Sequence, residues 1–203
     1  MINGMDNLRS ETQPELPLSE GESNKKNFRQ TLLDIVETIL LSLVLYFGIN
    51  AVSARIKVES ISMQPTLKAG YYVIVNRLAY KLGTPTRGDI IIFHYPPDPQ
   101  REPYIKRVIG LPSDTVRITG GKVYVNDQML IEPYIAASPD YDGTWIVPSD
   151  SLFVLGDNRN RSSDSHSWGM VPLENVIGKA LVVYWPPDAW KVLETNVAVA
   201  AGE

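Results

Sequence analysis

The run "TLLDIVETILLSLVLYFGINAV", Thr31 to Val52, constrains the chain more than any other feature. Its second half, Thr38 to Val52, carries no charge, and a helix that crosses a bilayer needs about 20 largely apolar residues. The apolar side chains fall on every helical face, which argues against a core helix of a soluble domain. Asp34 and Glu37 lie in the first two turns, where they still reach headgroup level. "VSA" at 52–54 resembles the cleavage site of a removable leader. Such leaders, however, have an apolar run of only about 7–15 residues, and the region ahead of this one is long and acidic. A retained transmembrane helix is therefore predicted over residues 31–54. Lys25, Lys26 and Arg29 precede it, which places the N-terminus in the cytoplasm. Arg55 and Lys57 on the far side weaken that asymmetry without cancelling it. Residues 1–30 are polar and read as a disordered cytoplasmic tail.

Beyond the helix the periodicity changes. "YYVIV" (71–75), "DIIIFHY" (89–95), "YIKRVIG" (104–110), "DTVRI" (114–118), "KVYVN" (122–126), "SLFVL" (151–155) and "GKALVVYW" (178–185) are rich in Val, Ile, Tyr and Phe. Gly, Pro, Asn or Asp bound each one, as strands require. "TGGK" at 119–122 is a hairpin signal. The prediction is an all-β barrel or sandwich over residues 55–190, with loops at 96–103 and 138–148, one helical turn near 76–82, and a C-terminal tail at 191–203. The fold class is thus all-β with one N-terminal transmembrane α-helix.

Composition narrows the chemistry. The chain has no cysteine, so thiol catalysis, disulfides and Cys-ligated zinc are excluded. Two histidines, His94 and His166, are too few for a His-rich metal site, so neither metal nor cofactor is expected. The net charge is -4 with no basic face, which gives no reason to expect a nucleic-acid partner.

"ESISMQPTL" (59–67) places Ser60 and Ser62 two positions apart, just before Pro65. Residues two apart on a strand face the same way, so a strand edge would set two hydroxyls side by side; a solvated Ser-rich turn is the other reading. A nucleophilic serine needs a base. His94 lies within an apolar run, and nothing around His166 favours a set with Asp164. Lys106 is the better candidate, flanked by Tyr104, Ile105, Val108 and Ile109. Burial lowers a lysine pKa from about 10.4 and frees the amine to accept a proton; a snorkelling or ion-paired lysine remains the alternative. "GDNRNRSSDSHSWG" (156–169) follows the apolar "LFVL" and reads as a hydrogen-bonded loop network or a solvated loop.

Together, "SISMQPTL", "RGDIIIF", "YIKRVIGLPSD" and "GDNRNRSSDS" resemble, in order and spacing, the type I (leader) signal peptidases, over Thr31 to about Trp185. "YFGINAVSARIKVES" is similar to cyanobacterial members. The resemblance implies a membrane-anchored Ser/Lys endopeptidase that removes signal peptides from exported preproteins. It implies Ser62 as nucleophile, Lys106 as general base, Ser60 in the oxyanion hole with the Ser62 N–H, and Ser162 hydrogen-bonded to the lysine. It further implies Met63, Tyr104 and Ile105 along the substrate cleft, and Arg107, Asp157, Arg159 and Asp164 in a structural network. Its partners would be the lipid bilayer and signal peptides with small residues at -1 and -3. Its place would be a plasma (inner) or thylakoid membrane, with the catalytic domain on the trans side. Three positions depart from the family pattern: Asn160–Arg161 stand where Asp then Asn are usual, His166 where Arg is usual, and Ser113 where Gly is usual. They leave the partner of Asp164 open between Arg161 and Arg107. Two rivals are a self-cleaving Ser/Lys repressor and a membrane-tethered β module that binds peptides without cutting them; covalent labelling of Ser62 by an electrophilic peptide mimic separates the last from an enzyme.

Overall fold

The structure is a computed structural model that describes residues 20–195 and 197–200. The first unit of the chain is dominated by helix α1, Glu20–Val52. Within it, Asn27–Asn50 is long and apolar enough to cross a membrane; at 1.5 Å per residue those 24 residues span about 36 Å, against a hydrocarbon core of about 30 Å. Thr38 Oγ1 donates to Asp34 O at 2.7 Å and Ser42 Oγ to Thr38 O at 2.7 Å. The helix's own carbonyls thus satisfy hydroxyls that would otherwise be costly in lipid. The helix begins at Glu20 rather than Thr31, so residues 20–30 of the expected disordered tail are helical; residues 1–19 lie outside the described residues.

Among its described residues the second unit, Gly48–Glu203, has thirteen strands: β1 Ser53–Lys57, β2 Tyr72–Asn76, β3 Ile90–Phe93, β4 Tyr104–Gly110, β5 Thr115–Thr119, β6 Lys122–Val125, β7 Gln128–Ile131, β8 Gly143–Ile146, β9 Ser151–Leu155, β10 Val171–Pro172, β11 Val176–Trp185, β12 Lys191–Val192 and β13 Ala198–Val199. Two helical turns, α2 (Ala79–Leu82) and α3 (Ser165–Trp168), punctuate them. One antiparallel sheet runs β1-β2-β11-β3-β4-β9-β10, with β12 added to β11. A second runs β13-β7-β6-β5-β8. Register shifts within β11 and between β4 and β9 are the bulges that let the large sheet curl.

Three apolar clusters fill the unit. Val58, Met63, Leu67, Val73, Ile92, Ile105 and Leu193 belong to the first. Ile109, Val116, Ile118 and Phe153 lie in the second, and Ile91, Phe93, Val108 and Val154 in the third. Strand β4 is buried along nearly its whole length, and the pleat sends Ile105 and Val108 to different clusters.

Three expectations need correction. The loop expected at 138–148 contains β8, which pairs with β5, and β7 was not anticipated. The C-terminal tail is not a loose end: Leu193 is core, β12 pairs with β11 and β13 with β7. Finally, Ser60 and Ser62 do not lie on a strand. Residues 61–67 form a tight turn, with Gln64 N donating to Ile61 O and Leu67 N to Met63 O.

Candidate active site

The turn accomplishes what the pleat was expected to do. It sets Ser60 Oγ 3.1 Å from Ser62 Oγ. Met63 and Leu67, both fully buried, anchor the turn in the first cluster. From the other side the loop after β9 holds it: Asn158 N donates to Ser62 O at 2.9 Å and Asn158 Nδ2 to Ile61 O at 3.1 Å. Gly156 is required at this junction, because a Cβ there would collide with both Ser162 Oγ and the Ser62 carbonyl oxygen. Among the described residues, the Ser62 N–H donates to no protein acceptor.

Lys106 comes from β4. Its Nζ lies 2.7 Å from Ser62 Oγ and 3.2 Å from Ile105 O. Only 4% of the residue is exposed. Tyr104 and Val108 share its face of the strand, and Ile91 is its cross-strand partner on β3. The ring of Tyr104 has its centroid 5.3 Å from Nζ. Burial in these surroundings pushes the amine down to about 8, against the pull of the Asp164 and Asp157 carboxylates, which favour the charged form.

Beneath the pair runs a chain of buried charges. Arg107 forks onto Asp157, Nε to Oδ1 at 2.8 Å and Nη2 to Oδ2 at 2.7 Å. It also donates to Gly88 O and Glu194 O and stacks over the ring of Tyr134. Asp157 accepts in addition from Thr66 Oγ1, on the Ser62 turn. Arg159, fully buried, forks onto Glu132 at 2.8 and 2.6 Å. Asp164 neighbours neither Arg161 nor Arg107 in an ion pair. Its Oδ2 accepts from Gly156 N, and its Oδ1 meets His166 Nδ1 at 2.5 Å. The histidine, stacked on Tyr141, occupies the role left open by the sequence.

A cleft leads to Ser62 and Lys106, with a volume of about 670 Å³. One wall is Arg55 to Ile61, the other Glu102 to Ile105, and Arg161 and Ser163 also line it. Both walls offer backbone. Among the described residues β1 pairs only with β2, and β4 pairs with β9 only from Arg107 onward, so Tyr104–Lys106 bond to β3 on one side alone. An extended peptide could pair with either edge.

Several sequence expectations change here. Met63 does not line the cleft; it is wholly buried beneath it, because the turn directs its side chain into the core. Ser162 makes no hydrogen bond to Lys106: its Oγ is buried and unpartnered against Gly156, while Nζ turns to Ser62 and Ile105 O. His94 is exposed beyond the end of β3. Sequence reasoning overlooked Ile61, Thr66, Asn158, Glu132 and Tyr134. Thr66 and Asn158 lie inside motifs already singled out, whereas Glu132 carries no local signal.

The family described as "Signal peptidase, peptidase S26" matches residues 32–185. Signal peptidase I of Leptolyngbya laminosa is 44% identical over 182 residues, covering 85% of this chain and 89% of the relative. Probable signal peptidase I-2 of Synechocystis sp. is 44% identical over 163 residues, 77% of this chain and 74% of the relative. Probable thylakoidal processing peptidase 2, chloroplastic, of Arabidopsis thaliana is 39% identical over 146 residues, 68% of this chain but 40% of the relative.

Proposed function

Since the chain belongs to the signal peptidase (peptidase S26) family, serine endopeptidases that remove signal peptides from preproteins, we propose that Ser62 is its nucleophile and neutral Lys106 its general base. The observation that carries this reading is the 2.7 Å contact between Nζ and Oγ in a buried, apolar setting that lowers the lysine's proton affinity. With the amine neutral, the Ser62 hydroxyl donates to it. Oγ attacks the carbonyl carbon of substrate residue -1 as its proton passes to Nζ. The oxyanion forms beside the Ser60 hydroxyl and the unpartnered Ser62 N–H. Lys106 returns the proton to the departing amine, leaving an acyl-enzyme on Ser62. Water, deprotonated by the same lysine, then releases the signal peptide. Arg107, Asp157, Arg159 and Asp164 hold the pieces in register.

The substrate segment before the bond would add as a strand between the two cleft walls. Its side chains at -1 and -3 then face the same wall, while -2 points away. Ile61 on one wall and Tyr104 and Ile105 on the other crowd the cleft, so small residues are expected at -1 and -3.

α1 would anchor the enzyme in the lipid bilayer as a single span. Lys25, Lys26 and Arg29 favour a cytoplasmic N-terminus, with the β unit on the trans side. Relatives in both bacteria and thylakoids make a plasma or thylakoid membrane the expected site. The test is cleavage of a preprotein by the purified full-length chain in detergent micelles. Ser62→Ala and Lys106→Ala should each abolish it and His166→Ala should retain it. A folded His166→Ala protein as inactive as Ser62→Ala would overturn the assignment.

A further inference from the structure

The charges of the cleft are unevenly distributed. On one wall Lys57 and Glu59 neutralise each other at 3.7 Å. Arg55 lies in β1, opposite Ile74, seven residues before Ser62, and on the other wall Glu102 stands four residues before Lys106. These charges belong to the two walls rather than to the loop that holds Ser62. Lys106 itself is held toward its neutral form. Arg161 remains, and it stands at the reactive end.

Three contacts fix its position. Asn158, which opens the turn Arg159–Arg161, bonds to both Ile61 O and Ser62 O, and Arg161 N donates back to Asn158 O at 3.0 Å. The next residue, Ser162, packs its Oγ against the same point as the Ser62 carbonyl. Arg161 and Ser163 both line the cleft. Arg161 is exposed, and among the described residues it makes no ion pair. Because Asn158 bonds to Ile61 O and Ser62 O, the 158–163 loop adjoins the nucleophile, and a peptide continuing past Ser62 would have that loop beside it.

We propose that Arg161 reads an acidic side chain in the residues just after the scissile bond, so that the start of the released protein is a specificity element. The inference rests on Ser62 as nucleophile. A guanidinium offers a fixed fork of donors that suits a carboxylate, which it can hold bidentately, and it stays charged at every working pH. Because the pair would be exposed, its effect is modest: about two- to fivefold in kcat/KM, fading as added salt screens it.

The experiment uses the full-length chain in detergent micelles and a peptide series identical through residue -1. Asp, Asn or Lys is placed in turn at +1, +2 and +3, and a parallel series carries Asp or Lys at -2 instead. The readout is the ratio of kcat/KM for the Asp peptide over the Lys peptide. The wild type should favour Asp by about two- to fivefold at one or more of the + positions. Arg161→Asn should bring that ratio to one, and Arg161→Glu should invert it. A wild-type ratio of one at all three + positions, an unchanged ratio in Arg161→Asn, or a preference confined to -2 would overturn the proposal. If the wild type cuts the Asn peptides without discriminating charge, the nucleophile assignment stands and only this inference fails. If it cuts none of them and Ser62 resists an electrophilic peptide mimic, the assignment beneath it fails and takes the inference with it.

Discussion

Lys106 is the residue on which activity and stability pull against each other. Its folded pKa is about 8, while an unfolded lysine stays near 10.5, so the unfolded chain binds more protons across that interval. Burying the ammonium therefore costs the folded state below about pH 8, and the cost fades as pH rises toward 10.5. The shift corresponds to on the order of 3 kcal/mol. Lys106→Met keeps the shape and removes the charge, so it should stabilise the protein at pH 7 by on the order of 1–3 kcal/mol while eliminating cleavage. Thermal melts at pH 7 and near pH 10 check this: the gain should shrink at the higher pH. In the wild type, kcat/KM should fall about tenfold per unit as pH drops below about 8, because the base is then protonated. A pH–rate profile without an acid limb in that region would remove Lys106 as the base. Thr66 acts at one remove. Its hydroxyl donates to Asp157, which also grips Arg107, the neighbour of Lys106, so one carboxylate ties the Ser62 turn to β4. Thr66→Val should lower kcat by on the order of ten- to a hundredfold through misalignment, with KM little changed. Thr66→Ser should restore it, an outcome that mere loss of packing would not give.

Among the elements, those with a strong local pattern were legible. "IIIF" and "SLFVL" became β3 and β9, short runs bounded by turn residues and buried at every position, and "YIKRVIG" became β4 with Lys106 and Arg107 buried inside it. β7 ("QMLI") and β8 ("GTWI") carry no such run, and only pairing with β6 and β5 makes them strands. The site divides in the same way. Burial singled out Lys106 as a candidate base and the family resemblance paired it with Ser62; the structure sets their Nζ and Oγ 2.7 Å apart. The partners of the supporting charges were not legible: Thr66 meets Asp157 across 91 positions and Glu132 meets Arg159 across 27. Contacts at such separations leave no periodicity to read. Ser60 and Ser62 were rightly expected side by side, but a turn rather than a pleat puts them there. The C-terminal segment was the largest misreading, and it yields a prediction. Leu193 is 5% exposed within the first cluster, and the neighbouring Glu194 carbonyl accepts from Arg107. Leu193→Ala should therefore cost about 2–4 kcal/mol in urea unfolding. A dispensable tail would show no change.

At the scale of the molecule, the chain divides into a membrane-length helix and a β unit with its own clusters and its own cleft. The division separates chemistry from delivery. Every side chain proposed to act on substrate lies between Ser60 and Arg161, within the β unit. The described apolar side chains of the helix between Phe28 and Ile49 are exposed, as a span that faces lipid requires. What the helix would contribute is confinement to a membrane in which a preprotein is itself inserted, so that encounter would take place at a raised effective concentration. For tethered partners that gain reaches on the order of a hundredfold without any new contact. A variant lacking residues 1–47 should accordingly keep its kcat/KM on a short soluble peptide. On a preprotein inserted in vesicles it should lose on the order of a hundredfold relative to the full chain in the same vesicles. Equal losses on both substrates would mean that the helix shapes the active site, whereas no loss on either would leave the anchor without a part in substrate encounter.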